Sequence, residues 1–381
     1  MRRMTNRRSA RLLALFTATA AIGALGVTLA PAGMGTANGG ASTTPGSKES
    51  VAVGSGGAVS SVDPDASAAG IKVLKQGGNA VDAAVATAAA LGVTEPYSAG
   101  VGGGGYFVSY DADSGKVRTL DGRETAPQSA DEKLFMEDGK ALPFEEAVTS
   151  GLGVGTPGTA ATWEQALDKW GSKSLGKALA PAERLASGGF KVDKTFRQQT
   201  ADNEKRFRNF PATVDLFMPG GKLPEVGSTM RNPDLARTYK TMARKGAGEL
   251  YDGRIADDIV KTVRKPPVDP DSDKKIRSGD MTQKDLAAYK VKKQAPSRTE
   301  YRGLDVFGMA PSSSGGTTVG EALNILENGD LSKLSKKELL HRYIEASRVA
   351  FADRGRWVGD PSAEDVPTKE LLSQRFADSR A

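Results

Sequence analysis

The sequence predicts a mixed fold of the α/β or α+β kind rather than a helical bundle, and three observations carry that expectation. Only 38% of its 381 residues are apolar. Glycine is plentiful at 45 residues, so tight turns should be frequent. Segments of helical periodicity are interleaved with short strand-like runs bounded by Gly, Asp and Ser. The length leaves room for one large or two ordinary domains with a sizeable core.

Composition also removes several function classes. The formal charge of +6 is modest for this length, and Lys and Arg are scattered among Asp and Glu. That pattern describes a mixed solvated surface with no nucleic-acid footprint. The chain has no cysteine, which removes disulfides, thiolate metal sites and cysteine nucleophiles together. His341 is the only histidine, so a Ser-His-Asp triad or a histidine zinc site would have to pass through it. No metal or cofactor is expected.

The N-terminus reads as a targeting segment. Arg2, Arg3, Arg7, Arg8 and Arg11 precede an uncharged apolar run over residues 12–29, and Ala30-Pro31-Ala32 offers small residues for a signal peptidase. Residues 1–32 are therefore expected to be a cleaved signal peptide, which makes the product secreted or extracytoplasmic with no stable membrane insertion. Asn6-Arg7-Arg8 leaves open whether the route is the twin-arginine one. Residues 33–50 are rich in Gly, Ser, Thr and Pro and read as a flexible leader. The folded region is expected over 51–381.

Along that region, residues 51–60 begin with alternation suited to a short strand and then dissolve into glycine. Asp63-Pro64 is a helix start, with Asp as cap and Pro in the first turn, and Gly77-Gly78 is a stop. Asn79 caps a second helix with Asp82 in its first turn. From Ala80 to Leu91 that helix is nearly all Ala, Val, Thr and Leu, so it should be buried on most sides. A glycine run at 102–105 follows, but the order is helix, glycines, strand. That is the reverse of a dinucleotide-binding loop, and no P-loop motif occurs.

Residues 106–110 and 116–120 flank Asp111-Ala-Asp-Ser-Gly115 as a β-hairpin. Residues 142–210 are largely helical, with a turn at Thr156-Pro157-Gly158, and 204–208 form a solvated charged face. Further helices are expected over 233–264 and an exposed loop over 265–280. A strand at 304–308 precedes the serine-glycine stretch 311–318 and an apolar helix from about Val319 to Leu326. Backbone N–H groups at that helix start would suit an anion or an ordinary serine cap. Leu339, Leu340, Tyr343, Ile344, Ala350 and Phe351 fall on one face of a last long helix, with His341 toward its polar side in a surface role.

The residue with most chemical promise is Arg123, in Asp121-Gly122-Arg123-Glu124 at the end of the hairpin. An arginine just past a strand, beside glycines, offers a planar five-donor fork to a small carboxylate. A structural ion pair with Asp121, Glu124 or another acid is the alternative.

Several stretches occur in one order: GGNAVDAAVA, EPYSAGVGGGGYF, DGRETAP, GVGTPGT at 153–159, MAPSSSGGTT, and AFADRGRWVGDP at 350–361. Through them, residues 51–381 resemble the gamma-glutamyltransferase (gamma-glutamyltranspeptidase) family. The resemblance implies an α+β fold, the αββα four-layer sandwich of N-terminal-nucleophile hydrolases, of which this chain would supply only the large-subunit half. It implies a precursor that cleaves itself, and a small-subunit N-terminal threonine that attacks the γ-glutamyl carbonyl, with its own α-amine taking the proton. It further implies glutathione or another γ-glutamyl compound as donor, and water, an amino acid or a dipeptide as acceptor. Arg123 matches the large-subunit arginine expected to hold the donor's α-carboxylate.

The family's Thr-Thr-His-type start of the small subunit is absent, and Thr317-Thr318 belongs to the MAPSSSGGTT match. No residue of the chain is therefore assigned as nucleophile; that threonine is expected beyond Ala381. The chain alone is expected to be inactive and to expose sheet edges and apolar faces. A cephalosporin-acylase type of amidase on the same scaffold, and an inactive remnant or amino-acid-binding protein, are the alternatives.

Overall fold

Residue chemistry sets the first elements of the computed structural model, which describes residues 51–381; the signal-peptide and leader expectations lie outside the described residues. Asp63 accepts from Ala66 N at 2.9 Å and starts helix α1 (Pro64–Lys75). Asn79 and Asp82 cap helix α2 (Ala80–Thr94) reciprocally. Helix α2 is buried along most of its length, and α1 meets it where a Cβ on Gly70 would come within 2.2 Å of Thr87 Oγ1. A short helix, Pro96–Ala99, leads into the glycine run.

Strands β1 (Gly105–Asp111) and β2 (Lys116–Gly122) form the antiparallel hairpin, in register from Gly105 opposite Gly122 to Asp111 opposite Lys116. Gly115 takes the left-handed position of its turn, at φ +65°. Helices α3 (Thr159–Trp170), α4 (Leu175–Gly188), α5 (Lys194–Phe207), α6 (Pro233–Lys245) and α7 (Arg254–Arg264) follow. Most of the core lies among α2, α3, α4 and α6, where Trp163, Leu179, Tyr239 and Met242 are buried with the alanines and valines of α2. Each large apolar side chain buried there contributes about 1.5–3 kcal/mol.

Strand β3 (Lys292–Gln294) joins the hairpin through β2, giving the order β1-β2-β3 with β1 at an edge. Strands β4 (Ser297–Tyr301) and β5 (Leu304–Gly308) are joined by Arg302 and Gly303 at φ 52° and 76°, the two left-handed residues of a tight hairpin turn. Helix α8 (Gly315–Glu327) packs on this hairpin and on helix α9 (Lys336–Trp357). The architecture is mixed helix and antiparallel sheet, as expected, and its sheets are small, the largest described one having three strands.

Three local expectations change. Residues 51–60 form no strand, because small side chains alternating with glycine give an extended segment little to bury. Helix α8 begins at Gly315, so two glycines expected to precede it are helical. On α9 the buried residues are Ala346, Ala350 and Asp353, while Leu340, Tyr343 and Phe351 are 54%, 54% and 62% exposed. Of the apolar face read from the sequence, Ala350 is buried, whereas Leu339, Leu340, Tyr343, Ile344 and Phe351 are left exposed by the described residues. No described helix is long and apolar enough to cross a membrane.

Candidate functional site

Arg123 follows the last paired residue of β2 and is exposed. Its main-chain N–H donates to Asp121 Oδ1 at 2.9 Å, and its carbonyl accepts from the Tyr289 hydroxyl at 2.9 Å. Asp121 is buried and also accepts from Gln294 Nε2 at 3.2 Å on β3, so its carboxylate serves the backbone and the sheet. Among the described residues no carboxylate lies within ion-pairing distance of the Arg123 guanidinium. The structural ion pair considered from sequence is thus not formed with Asp121 or Glu124.

Glycines let the surrounding chain close around this strand end. A Cβ on Gly104 would lie 2.6 Å from Gly122 O and 2.7 Å from Glu124 Oε2, and one on Gly122 would lie 1.7 Å from Thr162 Oγ1. A Cβ on Gly158 would lie 1.9 Å from Gly122 O and 2.2 Å from the Tyr289 hydroxyl. Gly158 N and Thr159 N both donate to Gly103 O, at 2.9 and 3.1 Å, and Thr125 and Thr156 exchange backbone bonds of 3.3 and 2.8 Å. The glycine run is therefore packing surface for the GTPGT turn and the hairpin.

Two tyrosines that sequence reasoning missed complete the support. Tyr289 stacks on Tyr251, with ring centroids 5.5 Å apart and planes at 15°. The Tyr251 hydroxyl donates to Pro157 O at 2.9 Å and accepts from Ala161 N at 3.2 Å. Burial pushes the Tyr251 phenol up to about 12 and raises Tyr289 as well, so both are neutral donors at ordinary pH. Nothing local in the sequence marks either tyrosine, because their hydroxyls bond residues 94 and 166 positions away.

The serine-glycine stretch 311–318 reaches the same end of the hairpin. Tyr106 at the start of β1 and Ser312 share a hydroxyl contact of 3.4 Å, and Arg354 Nε donates to Ser314 Oγ at 2.8 Å. Its Thr317 and Thr318 are buried in α8. His341 is exposed on α9, in the surface position expected of it. No group of three or more metal-binding side chains is arranged around an ion site among the described residues. A second feature invisible in sequence is a buried acid pair on α8 and α9, Glu321 and Asp353, in which Arg380 donates two bonds of 2.7 Å to Asp353 alone.

Comparison with known proteins gives the chain its relatives. The chain is 37% identical over 333 residues to the glutathione hydrolase proenzyme of Bacillus subtilis (strain 168), a match covering 87% of this chain and 55% of that protein. It is 34% identical over 337 residues to the acylase ACY 1 proenzyme of Pseudomonas sp. (strain SE83), covering 86% of this chain and 58% of that protein. The chain thus spans about half the length of these relatives. In structure it is similar to Helicobacter pylori gamma-glutamyltranspeptidase, with a TM-score of 0.81 and 34% identity over 87% of this chain and 92% of that one. Its α+β architecture is therefore that of the N-terminal-nucleophile hydrolases, in the large-subunit portion. A family model for gamma-glutamyltranspeptidase matches residues 66–381, and with these identities it follows that the chain belongs to the gamma-glutamyltranspeptidase family.

Proposed function

We propose that this chain is the carboxylate-anchoring half of an enzyme that transfers γ-glutamyl groups from, and hydrolyses, glutathione or related γ-glutamyl compounds. One observation carries the role of the chain: the Arg123 guanidinium is exposed beside a fixed strand end, with no acid partner among the described residues. A guanidinium so placed is available to hold the donor's α-carboxylate through two parallel N–H···O bonds.

The chemistry is assigned to a small subunit from the same precursor. Its N-terminal threonine hydroxyl attacks the γ-carbonyl while the α-amine takes the proton, and the proton then goes to the departing amine. Water, an amino acid or a dipeptide next releases the γ-glutamyl group from the threonine ester. The open edge of β1 and the uncovered apolar residues of α9 support a missing partner of this kind, and this chain alone is then inactive. The basic, then apolar, N-terminal segment supports export.

The test is Arg123→Lys in the enzyme completed by its small subunit. Charge is kept and the fork is lost, so KM for a γ-glutamyl anilide should rise about tenfold or more with kcat less affected. An unchanged KM would sink the assignment. Reading the gene past codon 381 checks the partner, since a downstream Thr-Thr-His start is required and a stop codon there would favour a remnant or an amino-acid-binding protein. The identity to an acylase, with structural similarity to a cephalosporin acylase of Bacillus halodurans at 30% identity and a TM-score of 0.73, supports a second reading, an amidase acting on an acylated cephalosporin. Turnover of that substrate in preference to the anilide would select it.

A further inference from the structure

Resting on the reading of Arg123 as the carboxylate anchor, we infer that Tyr289 is a positioning residue for the γ-glutamyl donor. Its hydroxyl fixes the main chain from which the guanidinium is presented, and the Tyr251 ring fixes Tyr289 in turn.

The sheet itself does not hold Arg123. The last pair of the β1–β2 ladder is Gly105 with Gly122, so the arginine sits one residue beyond the strand. Two hydrogen bonds define its backbone: the N–H to Asp121 Oδ1 and the carbonyl from the Tyr289 hydroxyl, each 2.9 Å. Among the described residues Tyr289 is the one donor to that carbonyl. A two-bond grip on a carboxylate requires the fork to be held within about 0.5 Å and 10–20°. A peptide plane free to turn at Arg123 would spread the guanidinium over several orientations and weaken the grip without changing the charge.

The hydroxyl is itself tightly placed. Its ring lies against Tyr251, whose own hydroxyl bridges Pro157 O and Ala161 N at the start of α3. The notch at Gly158 admits it, since a Cβ there would lie 2.2 Å away. The tyrosine pair thereby references the Arg123 carbonyl to the same turn that bonds the glycine run through Gly103 O. Because burial keeps both phenols protonated, the donor persists across neutral and mildly alkaline pH.

The test uses the enzyme completed by its small subunit and a γ-glutamyl anilide. Tyr289→Phe keeps the stacked ring and removes only the hydroxyl, so KM should rise about fivefold while kcat changes by less than about twofold. Tyr239→Phe removes a buried hydroxyl that bonds Ala89 O and touches neither Arg123 nor the tyrosine stack. It should lower Tm and leave KM within about twofold. Adding Tyr289→Phe to Arg123→Lys should cost less than about twofold more, because the fork it positions is already gone.

An unchanged KM in Tyr289→Phe, beside a raised KM in Arg123→Lys, overturns the positioning role and leaves the anchor intact. A KM unchanged in Arg123→Lys overturns the anchor and this inference with it. Equal KM increases in Tyr239→Phe and Tyr289→Phe, or full additivity with Arg123→Lys, mark general loosening and also overturn it. In the 381-residue chain itself, Tyr289→Phe should quicken amide exchange across residues 121–125. Exchange as slow as in the parent chain counts against the inference even if the variant fails to mature.

Discussion

Glu321 on α8 lies beside Asp353 on α9, both are buried, and Glu321 Oε1 has no hydrogen-bond partner among the described residues. Two carboxyls in contact away from water cannot both be ionised at low cost, so one of them holds a proton. Glu321 is raised to about 8, by burial first and then by the neighbouring Asp353, while Arg380 opposes the shift. The unfolded chain returns it to the ordinary value of 4.5. Stability from protonated Glu321 is therefore complete below about pH 4.5 and is lost as pH rises through about 8. Thermal melts should show Tm falling by several degrees between pH 5 and pH 9. Glu321→Gln keeps a donor and cannot ionise, so its profile over that range should be flatter. A parent profile as flat as that of the variant would remove the pair from the account.

Asp82 has the opposite sign. Its carboxylate accepts from Asn79 N at 2.7 Å, Ser172 N at 2.9 Å, Lys173 N at 2.9 Å and Ser172 Oγ at 2.7 Å. Burial pushes its pKa up, but these bonds together hold it below the ordinary 3.8. Its stabilisation is present above that value and is lost as pH falls through the lowered one. Asp82→Asn turns one acceptor oxygen into a donor facing donors, at a cost of about 2–3 kcal/mol. A urea midpoint within error of the parent would contradict the capping account.

Gly158 separates packing from mere backbone freedom. Gly158→Ala places a methyl 1.9 Å from Gly122 O and 2.2 Å from the Tyr289 hydroxyl. The turn or the strand end must shift, so a loss of about 1–3 kcal/mol follows, together with displacement of Arg123. Gly188→Ala is the matched control. It closes α4 with nothing within 4 Å of the new Cβ and should be neutral or stabilising by up to about 1 kcal/mol. Equal melts for the two variants would remove the steric basis of the site.

What could be read in advance was local. Asp63-Pro64, the Asn79–Asp82 box and the hairpin at 105–122 are decided by residues within a few positions of one another. The position of Arg123, exposed beside a glycine just past a strand end, is legible for the same reason. The Tyr289 bond to Arg123 spans 166 positions, and the Glu321–Asp353–Arg380 cluster joins α8 and α9 to a turn near residue 380. Periodicity says nothing about which distant side chains meet. On α9 it identified an apolar face but not whether this part of the chain covers it; Ala346, Ala350 and Asp353 are the side chains that α9 buries.

That uncovered face gives the last prediction. Leu340, Tyr343 and Ile344 are 54%, 54% and 44% exposed and share one side of α9 at helical spacing. An apolar surface of this kind either finds a partner or drives self-association. In the chain alone, Leu340→Gln with Tyr343→Gln and Ile344→Gln should reduce light scattering and dye binding. Tm should move little, because exposed side chains lose few contacts. If the face is where the small subunit docks, the same triple variant should fail to assemble with it, although its own fold is intact by circular dichroism. Assembly at parental yield would show that the partner covers a different surface, and the β1 edge, carrying exposed Val108 and Tyr110, would then be the surface to test.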